Sequence, residues 1–187
     1  MLTVPTINFG SHSQVIKDVK IDNRQKWQKK HWMSIVHNYA KAPFFNVYSE
    51  FFEDVYSRDW EYLADLNIYL IKKISTFLGI RGTAFKRLSE LGIKNDNPTQ
   101  QLIDICVTVG ATNYIIGTRA KDYMEEWRWE KTKVKLEYFE PEYPPYPQLW
   151  GDFLENCSII DLLFNCGPES GEYIWGDKFK HFNKMKI

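Results

Sequence analysis

The chain has no excess of charge of either sign and very little cysteine. Its 24 basic and 24 acidic residues cancel over 187 residues, so net charge gives no reason to expect a nucleic-acid partner. The cysteines Cys106, Cys157 and Cys166 are odd in number and lack CxxC spacing. This favours a reduced protein with buried thiols over a disulfide framework and predicts a cytoplasmic location.

Long apolar runs and metal-binding motifs are also missing. No stretch approaches the length of a membrane span and no signal peptide opens the chain, so neither a membrane anchor nor secretion is expected. The four histidines are His12, His31, His37 and His181, and their spacing matches no zinc motif. The sequence therefore predicts no metal site, and it leaves any cofactor unknown.

Aromatic residues, in contrast, are abundant. They make up 16% of the chain and include seven Trp, enough to fill a core and also to line a cleft or a sugar platform. The length suits one domain with a sizeable core.

Hydrophobic periodicity predicts an α/β fold. Two opening strands, Leu2 to Phe9 and Gln14 to Ile21, precede helices over 24–40, 44–56 and 59–78, with Asp22 or Asn23 capping the first and Asp59 the third. Predicted elements then follow over 83–87 (strand), 88–93 (turn or short helix), 98–109 (helix capped by Asn97), 113–117 (buried strand), 121–128 (helix), 133–139 (strand) and 158–165 (helix). This order predicts a single domain over residues 1–176, with a mixed or partly parallel sheet covered by several helices, and a basic tail over 177–187.

The first helix carries an ionisable residue on its apolar face. Trp27, His31, Ile35 and Tyr39 follow one another at intervals of four and therefore share that face. His31 could be a general base, or a packed histidine with a local hydrogen bond, and the pattern leaves both readings open. Asn38 lies close to this face, so Asn38, Tyr39 and Trp27 are candidate substrate-binding residues.

The last helix offers two polar candidates that also have structural alternatives. Asp161 follows Ser158 at capping-box spacing, and Asn165 suits the helix end. Capping is the favoured interpretation for both, with catalysis by Asp161 and substrate binding by Asn165 as the functional alternatives.

A third group of candidates surrounds the end of the strand over 113–117. Arg119 and Lys121 follow Gly117 where a strand turns into a helix, a position that suits anions in parallel sheets. Asp122 and Tyr123 belong to the same candidate rim, whose alternative is an ordinary exposed loop, and Tyr114 and Gly117 are further candidate substrate-binding residues. Glu90 is a candidate acid or base, or else a carboxylate at a helix start. Cys166 could be a nucleophile beside His31, but buried structural thiols are commoner.

Several motifs together resemble the WbqC-like family, which occurs with bacterial O-antigen and other surface-polysaccharide genes. They are Val19–Asn23 with Trp27–His31, Asn38–Phe45, Leu88–Ile93, Tyr114–Gly117 with Ala120–Tyr123, Tyr146–Leu149 and Ser158–Gly167. The resemblance extends from about Thr3 to Gly167 and thus covers most of the chain.

The resemblance implies a transferase, of acyl, aminoacyl or glycosyl type, that acts on an amino sugar or a nucleotide-linked sugar. Family members usually begin with a further His-Gln-Pro-x-Tyr-x-Pro-Trp-like segment and have a glycine-rich loop after Tyr114, and this chain departs from both patterns. The alternative is therefore a truncated, non-catalytic relative that binds a sugar or a partner, including a partner that supplies the segment. A third hypothesis, nucleic-acid binding through aromatic stacking, has the least support of the three, because the net charge is zero.

Overall fold

A computed structural model describes residues 2–7, 14–140 and 144–176, and helices dominate it. The chain divides into two compact units. The first consists of the described residues up to Gly82 and from residue 144 onward, and the second of those from Thr83 to residue 140. Predictions for the Gly10–Ser13 turn and the 177–187 tail fall outside the described residues.

The first unit is helical. It contains α1 (Trp27–Tyr39), α2 (Phe45–Ser57), α3 (Leu63–Phe77), α7 (Ile159–Cys166) and α8 (Ser170–Trp175), with single 3-10 turns at Ile16–Asp18, Asn23–Gln25 and Gly167–Glu169. Helix α2 packs against α1 and α7. Helix α7 is buried from Asp161 to Cys166. Most of these side chains are apolar, and Asp161 and Asn165 are the buried polar exceptions.

The second unit contains the sheet. Helices α4 (Leu88–Leu91), α5 (Pro98–Thr108) and α6 (Glu126–Trp129) accompany strands β1 (Asn113–Gly117) and β2 (Lys135–Phe139). The strands pair in parallel, with Tyr114 opposite Leu136 and Gly117 opposite Phe139. A separate core of Ile103, Cys106, Ala120, Met124, Trp129 and Val134 packs beside them. The α/β class and the parallel strand pairing are thus confirmed.

The opening strands are not regular. Thr6 and Ile21 form a single antiparallel bridge, while Ile16–Asp18 is a 3-10 turn in which Ile16 is 77% exposed. The alternating pattern over 14–21 therefore predicts a strand wrongly. The Ile16 side chain stays exposed to solvent, so it gains no burial from the face of a sheet. The predicted strand over 83–87 is likewise irregular and exposed.

Three further predictions need correction. Helix α3 begins at Leu63 after Tyr62, not at Asp59, whose carboxylate accepts a hydrogen bond from Gln28 instead. Strand β1 is partly buried on one face and exposed on the other, where Ile115 is 63% exposed. The helix expected over 121–128 is split into a 3-10 turn (Thr118–Asp122) and α6.

The cap prediction for α5 is confirmed, because the Asn97 side chain accepts a hydrogen bond from the Gln100 amide at 2.8 Å and Pro98 occupies the first turn. Among the described residues, every helix is too short or too polar to cross a bilayer.

Candidate functional site

A cleft of about 800 Å³ opens in the first unit. Its walls come from α1, from the start of α7, from the segment at Leu2 and Val4, and from the loop between residues 148 and 158. Four residues singled out by the sequence line it together: His31, Asn38, Tyr39 and Asp161. The fold therefore brings residues 38 and 161, far apart in sequence, to one site.

His31 is 4% exposed and is surrounded by aromatic rings. Its imidazole meets Trp27 edge-on at 5.2 Å between centroids and Tyr56 at 5.9 Å. Burial lowers the pKa of His31, against the opposing effect of a hydrogen bond with the backbone of Thr3. A neutral imidazole at the edge of a cleft can accept a proton from a bound substrate.

Asp161 lies in the first turn of α7 and is 7% exposed. Its Oδ2 accepts hydrogen bonds from the Tyr146 hydroxyl at 2.8 Å and from Gln148 Nε2 at 2.9 Å. The Ser158 side chain makes no capping bond, so the favoured prediction that Asp161 serves in a capping box is wrong. Its carboxylate faces the cleft instead.

Tyr39, at the end of α1, also lines the cleft and interacts with Asp161. Burial, followed by hydrogen bonding to Asp161, raises the pKa of the Tyr39 hydroxyl far above its usual value. The same two causes raise the pKa of Tyr146. Both phenols therefore remain protonated at neutral pH and act as hydrogen-bond donors toward the carboxylate.

The loop over residues 148–154 is tied down by one side chain. The Gln148 amide accepts a hydrogen bond from Leu154 N at 2.8 Å and donates to Leu154 O at 3.1 Å, while its Nε2 also donates to Asp161. At the tip of this loop, the Trp150 indole donates to the backbone carbonyl of Asn38 at 3.1 Å. The loop is thus fixed both to α1 and to the carboxylate in the cleft.

Sequence reasoning missed Gln148 and Tyr146 as partners of Asp161. Both belong to the Tyr146–Leu149 motif of the family resemblance, and this motif was the feature of the sequence that could have indicated them as site residues. The surrounding segment is irregular and rich in Pro, so no periodicity indicated where these side chains point.

The two cysteines of this unit have different surroundings. Cys166 is buried and burial raises its pKa to about 11, so its thiol is a poor nucleophile at neutral pH. Cys157, which the sequence did not single out, is half-buried and lines the cleft.

Two other predicted substrate-binding residues lie in the core of the first unit. Trp27 is 3% exposed and its indole donates to Asn23 Oδ1 at 3.2 Å. Asn165 is buried and donates to the Asp161 carbonyl at 2.8 Å. Neither lines the cleft, because each side chain already fills a structural position.

The remaining candidates belong to the second unit. Tyr114 stacks on Trp129 at 4.9 Å, and Lys121 Nζ lies 5.0 Å from the centroid of the Tyr138 ring. Gly117, Arg119 and Asp122 are exposed around the end of β1. Glu90 accepts a hydrogen bond from the Arg87 amide at the start of α4. Roles for these residues in substrate binding or catalysis stay predictions.

The second unit has a smaller cleft of about 450 Å³, lined by α6 and β2 but not by Arg119 or Lys121. Within residues 2–7, 14–140 and 144–176, no three His, Cys, Asp or Glu side chains come together as metal ligands would.

Comparison with known proteins gives two matches. The family model for the WbqC-like protein family matches residues 1–173. The uncharacterized protein Rv1507c of Mycobacterium tuberculosis is 31% identical over 175 residues, which cover 92% of this chain and 74% of that protein. No solved structure matches significantly.

Proposed function

The chain belongs to the WbqC-like protein family, and from this membership and the cleft around His31 and Asp161 we propose that it is a transferase for an amino sugar or a nucleotide-linked sugar in bacterial surface-polysaccharide synthesis. The observation that carries the proposal is the presence of a neutral imidazole and a buried carboxylate in one cleft. Such a pair provides a proton acceptor and a fixed hydrogen-bond acceptor for one substrate.

The cleft suits a molecule of sugar size. Its volume of about 800 Å³ lies within the range of small-molecule sites. Tyr39, Tyr56 and Trp150 supply aromatic lining, and aromatic faces pack well against the apolar faces of sugar rings. Asn38 and Ser34 add polar groups along α1.

In the proposed reaction, His31 takes the proton from the amine or hydroxyl of the acceptor. The acceptor nitrogen or oxygen then bonds to the group being transferred, and the donor's leaving group departs with the electron pair of the broken bond. Asp161, held by Tyr39, Tyr146 and Gln148, fixes the acceptor through its N–H or O–H groups. Holding the reactants in this way lowers the entropic cost of their encounter.

The test compares two histidines of the same helix. His31→Gln removes the basic nitrogen from the cleft, whereas His37→Gln changes an exposed residue of α1 that does not line it. Purified protein is mixed with pools of amino sugars and activated donors, and products are followed by mass spectrometry. We expect His31→Gln to lower kcat by about 10²- to 10⁴-fold and His37→Gln to leave it unchanged.

Full turnover by His31→Gln would refute the role of His31 as the base. The alternative function, a non-catalytic sugar-binding module, draws support from the aromatic lining. It predicts that the wild-type protein retains sugars without forming any product and that His31→Gln retains them as well.

A further inference from the structure

Asp161 is a buried charge without a cationic partner among the described residues. It is 7% exposed, yet no ion pair within residues 2–7, 14–140 and 144–176 includes it. Aspartates are almost never this buried unless they are paired, because removing the charge from water is costly.

The donors that Asp161 does have are all neutral. They are the hydroxyls of Tyr39 and Tyr146 and the amide of Gln148. Tyr146 and Gln148 both donate to Oδ2. These bonds fix the orientation of the carboxylate without bringing a cationic side chain to it.

The rest of the cleft does not supply a positive charge either. Its lining contains no Lys or Arg from the described part of the chain. The histidine in the lining, His31, is held neutral by burial, which lowers its pKa. In the described lining, the Asp161 carboxylate therefore has no cationic side chain beside it.

We propose that this cleft binds its substrate through a primary ammonium group that pairs with Asp161. The ligand class is an amino sugar or a similarly sized amine, with the carboxylate as counter-ion and the aromatic faces of Tyr39, Tyr56 or Trp150 beside the cation. This proposal rests on the proposed function only for the sugar-sized ligand, since the charge pairing is independent of any transfer step.

The same charges exclude a diphosphate from the cleft. A nucleotide diphosphate would bring two or more negative charges next to Asp161, where nothing in the described lining could neutralise them. A nucleotide-linked donor would therefore place its diphosphate elsewhere. The cleft takes the amine-bearing acceptor.

The first experiment needs no mutation. Binding of glucosamine, galactosamine and 4-amino-4-deoxyglucose to the full chain is measured by isothermal titration at pH 7, beside their N-acetylated forms and the parent hexoses. We expect at least one amine to bind about 10- to 100-fold more tightly than its neutral counterparts, the ratio for one hydrogen bond between charged groups. Equal affinity within every set would overturn the proposal.

The second experiment assigns the preference to Asp161. Asp161→Asn keeps the shape but removes the charge, and we expect the ratio between amine and neutral sugar to fall to within about twofold. Asp18→Asn removes the same charge from an exposed residue outside the cleft and should keep the wild-type ratio. Retention of the full preference by a folded Asp161→Asn protein, checked by circular dichroism, would overturn the assignment.

A competition experiment tests the exclusion of diphosphates. Uridine diphosphate glucose, which has no amine, should fail to displace the bound amino sugar. Competitive displacement would show that the cleft accepts a diphosphate and would overturn this part of the proposal.

The proposed function and the ammonium site can fail separately. Amine binding without product formation would contradict the proposed transferase activity, whereas turnover without a preference for amines would contradict only the ammonium site.

Discussion

At the scale of single residues, Gly167 occupies a position with no room for a side chain. It ends α7 with a positive φ of 55°, and a Cβ at this position would lie 2.4 Å from carbons of the Phe44 ring. The backbone there needs a left-handed conformation, and the ring occupies the space that any side chain would take.

We therefore expect Gly167→Ala to destabilise the protein by about 2–4 kcal/mol, the sum of left-handed strain and overpacking. Urea denaturation measures this. Gly151→Ala is the matched control, because Gly151 has a φ of 58° but a Cβ there would meet no atom within 4 Å, and it should cost about 1–2 kcal/mol. Equal losses in the two variants would contradict the contact with Phe44.

His31 gives the folded state a characteristic pH dependence. Because burial lowers its pKa, the folded protein binds fewer protons than the unfolded chain as the pH falls through about 6.5. Because of His31, the free energy of unfolding therefore decreases as the pH falls from 7 toward 5.

Chemical denaturation of the wild type and His31→Gln across this range measures the effect. We expect the stability of the wild type to decrease relative to His31→Gln as the pH falls, while His37→Gln, at an exposed position of the same helix, follows the wild type. Parallel curves for the wild type and His31→Gln would show that the imidazole is not held neutral by its surroundings.

Among the secondary-structure elements, α5 depends on the side chain at its start. Asn97 accepts from the Gln100 amide at 2.8 Å, and its Nδ2 donates to both Glu125 carboxylate oxygens at 3.3 Å. Asn97→Ala removes both functions and should cost about 1 kcal/mol or slightly more.

Asn97→Ser serves as the partial variant, because a serine can still cap the helix but cannot reach Glu125. Its loss in thermal or urea unfolding should be smaller than that of Asn97→Ala. If serine were as destabilising as alanine, the cap would not be the main contribution of Asn97.

The loop over residues 148–154 depends on Gln148 in the same way. Gln148→Ala removes its bonds with the backbone of Leu154 and with Asp161. We expect the amide of Leu154 to exchange its hydrogen for deuterium markedly faster, because its acceptor is gone. The amides of α1 provide the internal control, and a uniform increase there would indicate global destabilisation instead.

The sequence predicted those elements whose signals are local. Helices α2 and α5 were expected close to their actual positions, because apolar residues recur at helical spacing and Asn97 with Pro98 marks a start. The opening strands were not predictable in this way. Their alternation of residue types says nothing about whether a neighbouring strand is present, and the described residues there form only two isolated bridges, Thr6 with Ile21 and Lys20 with Tyr62.

For the candidate site, sequence patterns could nominate His31 and Asp161 but not what surrounds them. His31 shares a helical row with Trp27 and Ile35, and all three are buried. Two partners of Asp161, Gln148 and Tyr146, lie 13 and 15 residues earlier, in a segment without regular structure. Only the tertiary fold determines that Tyr146 and Gln148 reach the same oxygen.

At the scale of the whole molecule, the two units have separate cores. Phe164 is fully buried in the core of the first unit and packs against Phe45 and Phe52, with ring centroids 5.2 and 5.5 Å away. Trp129 is 3% exposed in the core of the second unit and stacks on Tyr114. Truncating either ring leaves a cavity that should cost about 3–5 kcal/mol.

Hydrogen exchange of Phe164→Ala and Trp129→Ala locates this cost. We expect faster exchange mainly in α1, α2 and α7 for Phe164→Ala, and mainly in α5 and β1 for Trp129→Ala. Each variant serves as the control for the other. An identical increase across both units in both variants would show that the chain opens only as one cooperative body.

The route of the chain through the first unit has a consequence for biosynthesis. One wall of the cleft is α1, but the carboxylate and the loop that fixes it lie between residues 148 and 161, after the entire second unit. During translation from the amino terminus, His31 therefore leaves the ribosome long before Asp161. A nascent chain that ends before residue 148 still lacks about half of the residues that line the cleft, so the cleft can form only after the second unit has been synthesised.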